Sequence, residues 1–378
     1  MSRFANPAAR IKRRSMIESA YVVVMAGGGG TRLWPVSRRS RPKQTLSFGH
    51  PRTLFQQTVD RLEGILPPER VLVVTIADQA DALKAQYPQI PADNYLIEPM
   101  PRGTASVVGF AAVALQQRDP QAVMIVLAAD HFIDNVSYFQ SLIQAGVETA
   151  KQGYLATLGI TPTFAATGYG YIQMGAELEI NAGQPVYNAL KFKEKPSLEQ
   201  AQQMIDSGDH AWNSGMFIWK VERILSEINR LMPDLSARLA EIRLAWHGPR
   251  QQAVIQAIWP TLVSETIDFG IMEKTERVAV IPAKDLGWND VGSWESLFDV
   301  LQHDENGNIA IGAGHIGVNT RDTLVFSEVP NRIIATIGVE NMVVVDTGDA
   351  ILICARDQAQ QVRQVVDRLK QGGHNHYL

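Results

Sequence analysis

Along the first 130 residues the hydrophobic positions gather into short continuous runs rather than alternating with polar ones. YVVVMA at 21–26, VLVVTI at 71–76, NYLIE at 94–98 and AVMIVLAA at 122–129 are rich in β-branched and apolar residues. Such runs suit strands covered on both faces. GTASVVGFAAVALQQR at 103–118 and VSYFQSLIQAGVETAKQG at 136–153 have the length and apolar spacing of helices. Strands alternating with helices predict a mostly parallel sheet between helical layers. After about residue 300 the texture changes to HIGVNT, TLVFS, RIIATIG, NMVVVDTG and AILICA, separated by Gly, Asn and Asp turns. These short runs predict a second, β domain, closed by a helical stretch, DQAQQVRQVVDRLKQG, at 357–372. The chain therefore divides into a basic segment at 1–18, a three-layer α/β domain at 19–300 and a small C-terminal β domain at 301–378.

Composition narrows the class without naming a chemistry. Of the 378 residues, 46% are hydrophobic and 20% charged, ordinary values for a soluble globular protein. A net charge of -4 gives no general attraction to nucleic acid or to an anionic membrane, so neither is an expected partner. Any polyanion must be met by a local basic cluster. The only cysteine, Cys354, excludes an intramolecular disulfide and a thiolate zinc cluster, in keeping with a reducing, cytoplasmic setting. Arg3, Arg10, Lys12, Arg13 and Arg14 make residues 1–18 a basic, mobile arm, with Met16 as an alternative start. The apolar run after it is too short for an export signal, and no run reaches transmembrane length.

The local basic cluster follows the first strand, in MAGGGGTRLWPVSRRSRPKQ at 25–44. Gly27 to Gly30 allow positive φ and close backbone approach, so amide groups can turn toward an anion. Arg32, Arg38, Arg39, Arg41 and Lys43 add cationic charge. A triphosphate needs both. Two familiar glycine motifs fail on spacing. Counting G-x-G-x-x-G from Gly28 puts Leu33 at the third glycine, against a dinucleotide-binding dehydrogenase, and no glycine precedes Lys and then Ser or Thr, against a P-loop enzyme.

Gly-Gly-x-Gly-Thr-Arg-Leu followed by Pro, with Pro42-Lys43 downstream, resembles the signature of the sugar-phosphate nucleotidyltransferases. Trp34 and Gln44 narrow the resemblance to the mannose-1-phosphate guanylyltransferases (GDP-mannose pyrophosphorylases). It continues through EPMPRGTA at 98–105, AADH at 128–131, GYGYI at 168–172, FKEKP at 192–196, WNSGMFIW at 212–219, DFGIMEK at 268–274 and WNDVGSW at 288–294, in the family's order.

The resemblance implies a Rossmann-like nucleotidyltransferase domain that transfers GMP from GTP to mannose 1-phosphate, giving GDP-mannose and pyrophosphate. Gly28, Gly30, Thr31 and Arg32 are expected to hold the nucleotide, with Gly103 and Thr104 in the base-recognition stretch. Arg32 and Lys43 are the expected catalytic cations. Asp130 and Asp290 would hold Mg2+, and Gly170, Glu194, Lys195 and Asn213 would line the sugar-phosphate pocket. The residue types suit the task, since carboxylates orient hard cations, lysine neutralises phosphate oxygens, and Glu or Asn bonds sugar hydroxyls. The resemblance also implies left-handed β-helix coils in the C-terminal domain, pairing subunits as a homodimer.

Bland alternatives stand beside these assignments. Asp130 at a strand end could cap a helix, Asp290 could serve a turn, and Glu194-Lys195 could be a plain surface ion pair. Trp212, Trp219, Trp288 and Trp294 read as core packing, and His131 as structural. The sequence departs from the family at Arg102-Gly103-Thr104-Ala105-Ser106, where Arg-Asn-Thr-Ala-Pro is usual, and at Ala128-Ala129, where Pro-Ser is common. The long isomerase extension of bifunctional relatives is missing, so isomerase activity is not expected. Other readings are a same-fold enzyme for another base or for glucose 1-phosphate, and a silent sugar-nucleotide sensor. The C-terminal domain is expected to carry no chemistry, so that truncation after about residue 300 would disturb assembly, or stability where core surface becomes exposed, while leaving the motif set complete.

Overall fold

The computed structural model describes residue 17 and residues 19–378. The basic arm at 1–18 otherwise lies outside the described residues, although Ile17, assigned to it, is only 3% exposed and joins the core. The first four predicted strands form within a residue or so of the runs that predict them: β1 Ala20–Met25, β2 Val71–Ile76, β3 Tyr95–Glu98 and β4 Val123–Ala128. Five more complete one sheet, namely β6 Leu155–Ile160, β7 Tyr171–Glu177, β8 Tyr187–Lys193, β9 His210–Lys220 and β10 Val278–Ala283. A two-residue β5, Phe132–Ile133, stands apart and pairs with β11, Trp288–Asn289.

The nine strands lie in the order β3-β2-β1-β4-β9-β6-β10-β8-β7. Tracing the pairings shows that all but β8 and β9 run in one direction, so the mostly parallel sheet expected from the apolar runs is what forms. Helices Thr104–Arg118 and Val221–Leu231 cover one face through Phe110 and Ile224, joined by Trp259 of the 3₁₀ segment Trp259–Thr261. Helix Val136–Lys151 and Phe55 cover the other, with Phe139 and Leu142 fully buried. The result is the three-layer α/β domain.

Beyond residue 300 come β12 Ile309–Ile311, β13 Gly314–Val318, β14 Leu324–Ser327, β15 Ile333–Ile337, β16 Met342–Asp346 and β17 Ile351–Ala355. β12, β14 and β16 pair in parallel, as do β13 and β15. β12, β13 and β14 thus each meet the second strand after them, the connectivity of a coiled, β-helix-like chain, and β17 closes the ladder antiparallel to β16. Corners fall at Asn319, Asp322, Asn331 and Asn341, all with positive φ, a conformation that short polar side chains tolerate. The closing helical stretch begins as a 3₁₀ segment, Arg356–Gln361, and becomes α-helical at Val362–Gln371.

A third core joins the two domains. Leu33, Trp34 and Val36 from the basic glycine segment and Trp294 from the WNDVGSW run pack with Leu324 and Val343 of the β domain. Trp294 is fully buried and its indole donates to the Trp34 carbonyl at 3.0 Å. The β domain is therefore built onto the segment that carries the candidate chemistry.

Candidate active site

The site lies at the carboxyl ends of β1, β3 and β4, where ligands of open α/β sheets gather. β1 delivers the chain into Gly27–Gly30. A Cβ added to Gly28 or Gly29 would meet nothing within 4 Å, so this stretch presents bare backbone to open space. Gly30 has φ 55°, and a Cβ there would sit 2.5 Å from the Lys43 Cβ. Glycine is needed at that position on both counts. Ser37 Oγ donates to the Gly29 carbonyl at 3.1 Å and ties the loop to the segment behind it. Gln44 is buried beneath, donating to the Ala26 carbonyl at 3.0 Å and to Gln79 at 2.7 Å.

Lys43 is only 7% exposed. Its ammonium lies 2.8 Å from Asp130 Oδ2 and also donates to the backbone carbonyl of Asp290. Asp130 follows β4 directly, and Asp290 follows β11. In the β5–β11 ladder Phe132 faces Asn289, so one further antiparallel step brings the two aspartates, 160 positions apart in the chain, to the same end. Burial pushes the Asp130 carboxyl upward, but the Lys43 charge and hydrogen bond, with His131, outweigh it and hold the group below the usual carboxylate range. Tyr169 donates from its hydroxyl to Asp290 Oδ1 at 3.0 Å, and Gly292 N–H donates to the same oxygen at 3.2 Å. Burial first, then Asp290, raise the Tyr169 phenol, so it stays a donor.

His131 accepts from the Trp288 indole at 3.2 Å through Nδ1, and burial lowers its pKa despite the two aspartates. A neutral, hydrogen-bonded ring agrees with the structural role expected of it. Trp212, Trp219 and Trp294 are buried, as packing residues should be, while Trp288 is half-buried against His131 and Tyr169.

The expected sugar-phosphate residues come together. A Cβ on Gly170 would lie 2.4 Å from Glu194 Oε2 and 3.3 Å from the Asn213 Cβ. Asn213 N–H donates to the Gly170 carbonyl at 2.8 Å, and Lys195, with φ 44°, reaches Glu194 at 3.2 Å. The Asn213 amide is held in one orientation, because Nδ2 donates to Asp268 Oδ1 at 2.8 Å and Oδ1 accepts from Gly215 N–H at 3.1 Å. Asp268 opens a π-helical turn, Asp268–Met272, a rare geometry that concentrates at functional sites. Burial, and then Glu194, push its carboxyl up to about 6.

Gly103 has φ 80° and begins helix Thr104–Arg118, and a Cβ there would sit 2.1 Å from the Glu265 carbonyl oxygen. The Thr104 hydroxyl accepts from Ile267 N–H at 2.9 Å. Glu98, at the end of β3, emerges as a residue the sequence reading did not assign. It is 2% exposed, Oε2 has no hydrogen-bond partner, and Oε1 would lie 2.7 Å from a Cβ on Gly27. Burial pushes its carboxyl up to about 7. Buried Arg61, also unassigned, donates to the His131 carbonyl at 2.6 Å and so supports the Asp130-His131 turn.

The basic cluster requires a correction. Arg38 and Arg41 do not face the glycine loop: Arg38 pairs with Asp349 at 2.6 Å and donates to Thr347, and Arg41 pairs with Glu328. Both partners belong to the β domain, whose own segments supply the carboxylates these cations need. Arg39 is exposed. Exposed Arg32 and buried Lys43 remain on the cleft side. The β domain also touches this segment: the Trp34 indole N–H donates to the Tyr377 carbonyl at 2.9 Å and Arg32 donates to Gln360 Oε1 at 3.2 Å.

Comparisons with known proteins match two families along the chain. The family described as Nucleotidyl transferase matches residues 21–307, and a MannoseP isomerase/GMP-like beta-helix domain matches residues 313–369. The mannose-1-phosphate guanylyltransferase of Klebsiella pneumoniae is 37% identical over 362 residues, covering 94% of this chain and 75% of its own length. The mannose-1-phosphate guanylyltransferase ManC of Salmonella typhimurium is 37% identical over 367 residues, covering 95% and 75%. A crystal structure from Thermus thermophilus, described as a mannose-1-phosphate geranyltransferase, aligns with TM-score 0.82 at 34% identity, over 93% of this chain and 99% of that one. No helix among the described residues is long and apolar enough to cross a membrane.

Proposed function

Because the chain belongs to the nucleotidyl transferase family, among the mannose-1-phosphate guanylyltransferases, we propose that it transfers GMP from GTP to mannose 1-phosphate, forming GDP-mannose and pyrophosphate. The observation that carries this reading is the buried ammonium of Lys43, set between Asp130 and Asp290 beside an open glycine loop. One buried cation held by the Asp130 carboxylate and the Asp290 backbone carbonyl suits a reaction in which phosphate charge crowds at a single phosphorus.

In this reading the phosphate oxygen of mannose 1-phosphate attacks the α-phosphorus of GTP in line, and the bond to pyrophosphate breaks. The attacking oxygen is already ionised, so no general base is required, and the sugar C1–O bond stays intact. Lys43 neutralises the crowded oxygens, Arg32 meets the departing pyrophosphate, and Asn213, Glu194 and Gly170 orient the sugar phosphate. Asp130 and Asp290 suit magnesium, which takes few protein carboxylates and completes its shell with phosphate oxygens and water. When bound, the ion supplies further neutralisation of phosphate charge.

The base choice rests on Glu98. A carboxylate only accepts hydrogen bonds, and guanine offers adjacent N–H donors at N1 and N2. Glu98 lies against Gly27 through Oε1 and has Oε2 unpartnered, an acceptor that suits those donors. For subunit pairing, Ile316, Val318, Ile333 and Ile337 are exposed on one face of the β13–β15 ladder, and a second copy of the chain is assigned there. Sedimentation of wild type against Ile333→Lys tests that pairing, and a wild-type monomer refutes it.

The reaction is tested with a panel of nucleoside triphosphates against mannose and glucose 1-phosphates, read by pyrophosphate release. GTP with mannose 1-phosphate should give the highest kcat/KM. A different leading pair would overturn the substrate reading.

A further inference from the structure

Among the described residues, Arg32 meets the β domain through the side chain of Gln360. Gln360 sits on the 3₁₀ segment Arg356–Gln361, and its neighbour Ala359 is fully buried in the core shared with Leu33 and Trp34. That anchorage brings the Gln360 amide oxygen to 3.2 Å from Arg32 Nη1. Three arginines of the signature segment thus meet the β domain, on different terms. Arg38 and Arg41 are held by the carboxylates of Asp349 and Glu328. Arg32 is held by a neutral acceptor, and among the described residues no carboxylate lies within ion-pair distance of it.

The difference matters chemically. A carboxylate partner would fix the guanidinium but cancel its charge. An amide oxygen fixes it and leaves the charge whole for a phosphate. An exposed arginine otherwise surrenders rotamer freedom each time it closes on an anion, and a group already oriented avoids that cost.

We propose that Gln360 is a positioning residue for the transfer reaction: the β domain uses its amide oxygen to orient Arg32 toward the departing pyrophosphate without neutralising it. The inference rests on the role given to Arg32 above. Gln360→Ala should lower kcat roughly 10-fold, the size of one lost hydrogen bond to a charged group, while leaving the KM for mannose 1-phosphate and the thermal midpoint unchanged. Gln360→Glu, which keeps the acceptor but adds a charge, should fail to restore kcat. Gln358→Ala, on the same segment, should match wild type.

The deciding measurement is a double-mutant cycle. Arg32→Ala with Gln360→Ala should be no slower than Arg32→Ala alone. Additive losses, wild-type turnover in Gln360→Ala, or full rescue by Gln360→Glu would each overturn the proposal. A wild type inactive with GTP and mannose 1-phosphate would fault the substrate reading alone, because the cycle is then run on whichever pair of the panel releases pyrophosphate.

Discussion

At the scale of single residues, the site is organised by two groups in unusual surroundings. Lys43 is a buried cation with its counter-charge already in place, so its removal should be felt mainly where extra negative charge develops. Lys43→Ala is expected to slow the chemical step roughly 100- to 1,000-fold, by analogy with loss of one oxyanion donor, with a smaller change in GTP affinity. Single-turnover kinetics against equilibrium GTP binding checks the split, and unchanged turnover would remove Lys43 from the site. Glu98 is a buried acid whose carboxyl is raised from 4.5 to about 7. Between those values the native protein holds a proton that the unfolded chain has released, so this group makes stability fall as pH rises through that window. Urea unfolding at pH 5 and pH 8 should show the fall in wild type and a smaller one in Glu98→Gln. Guanine donors favour the ionised carboxylate, so GTP affinity should rise with pH up to about 7. Subtracting the Glu98→Gln profile cancels the nucleotide's own titration, and identical profiles would separate Glu98 from the base.

At the scale of elements, short ladders and tight approaches set the distances. The Gly170 backbone leaves only enough room for Glu194, and Gly170→Ala would drive a Cβ to 2.4 Å from its Oε2. The KM for mannose 1-phosphate should rise about tenfold or more, in line with the loss of one good polar contact, while the KM for GTP stays near wild type. Equal effects on both substrates in steady-state kinetics would count against a separate sugar subsite. The β5–β11 pair joins the two aspartates. Asp130→Asn and Asp290→Asn should each abolish most turnover and raise the magnesium concentration needed for the remainder, and the double variant should be little worse than the worse single one. Much of this was legible beforehand. β2 coincides with VLVVTI because a continuous apolar run records burial on both faces, and the motif residues Gly170, Glu194 and Asn213 do converge. Glu98 and Asp268 were visible only as letters within motifs, since their character comes from burial and from neighbours such as Gly27 and Asn213. Arg38 and Arg41 misled for the same reason, because charge is written in the chain but its partner, some 300 positions away, is not.

At the scale of the whole molecule, the two domains share a core and so share a fate. A chain ending near residue 300 would bare Leu33, Trp34, Leu46 and Trp294, a contiguous apolar surface of the kind that drives aggregation. Such a truncation should yield little soluble protein, and what remains should lose pyrophosphate release. A folded truncation with wild-type turnover would make the β domain dispensable. The link between Arg32 and Gln360 spans 328 positions, and that span has a meaning in time. A ribosome delivers the amino end first, at roughly 5–20 residues per second, so the glycine loop is outside the tunnel long before the residue that steadies it has been translated. Until then a nascent chain presents the glycine loop and Arg32 without the side chain that holds the guanidinium.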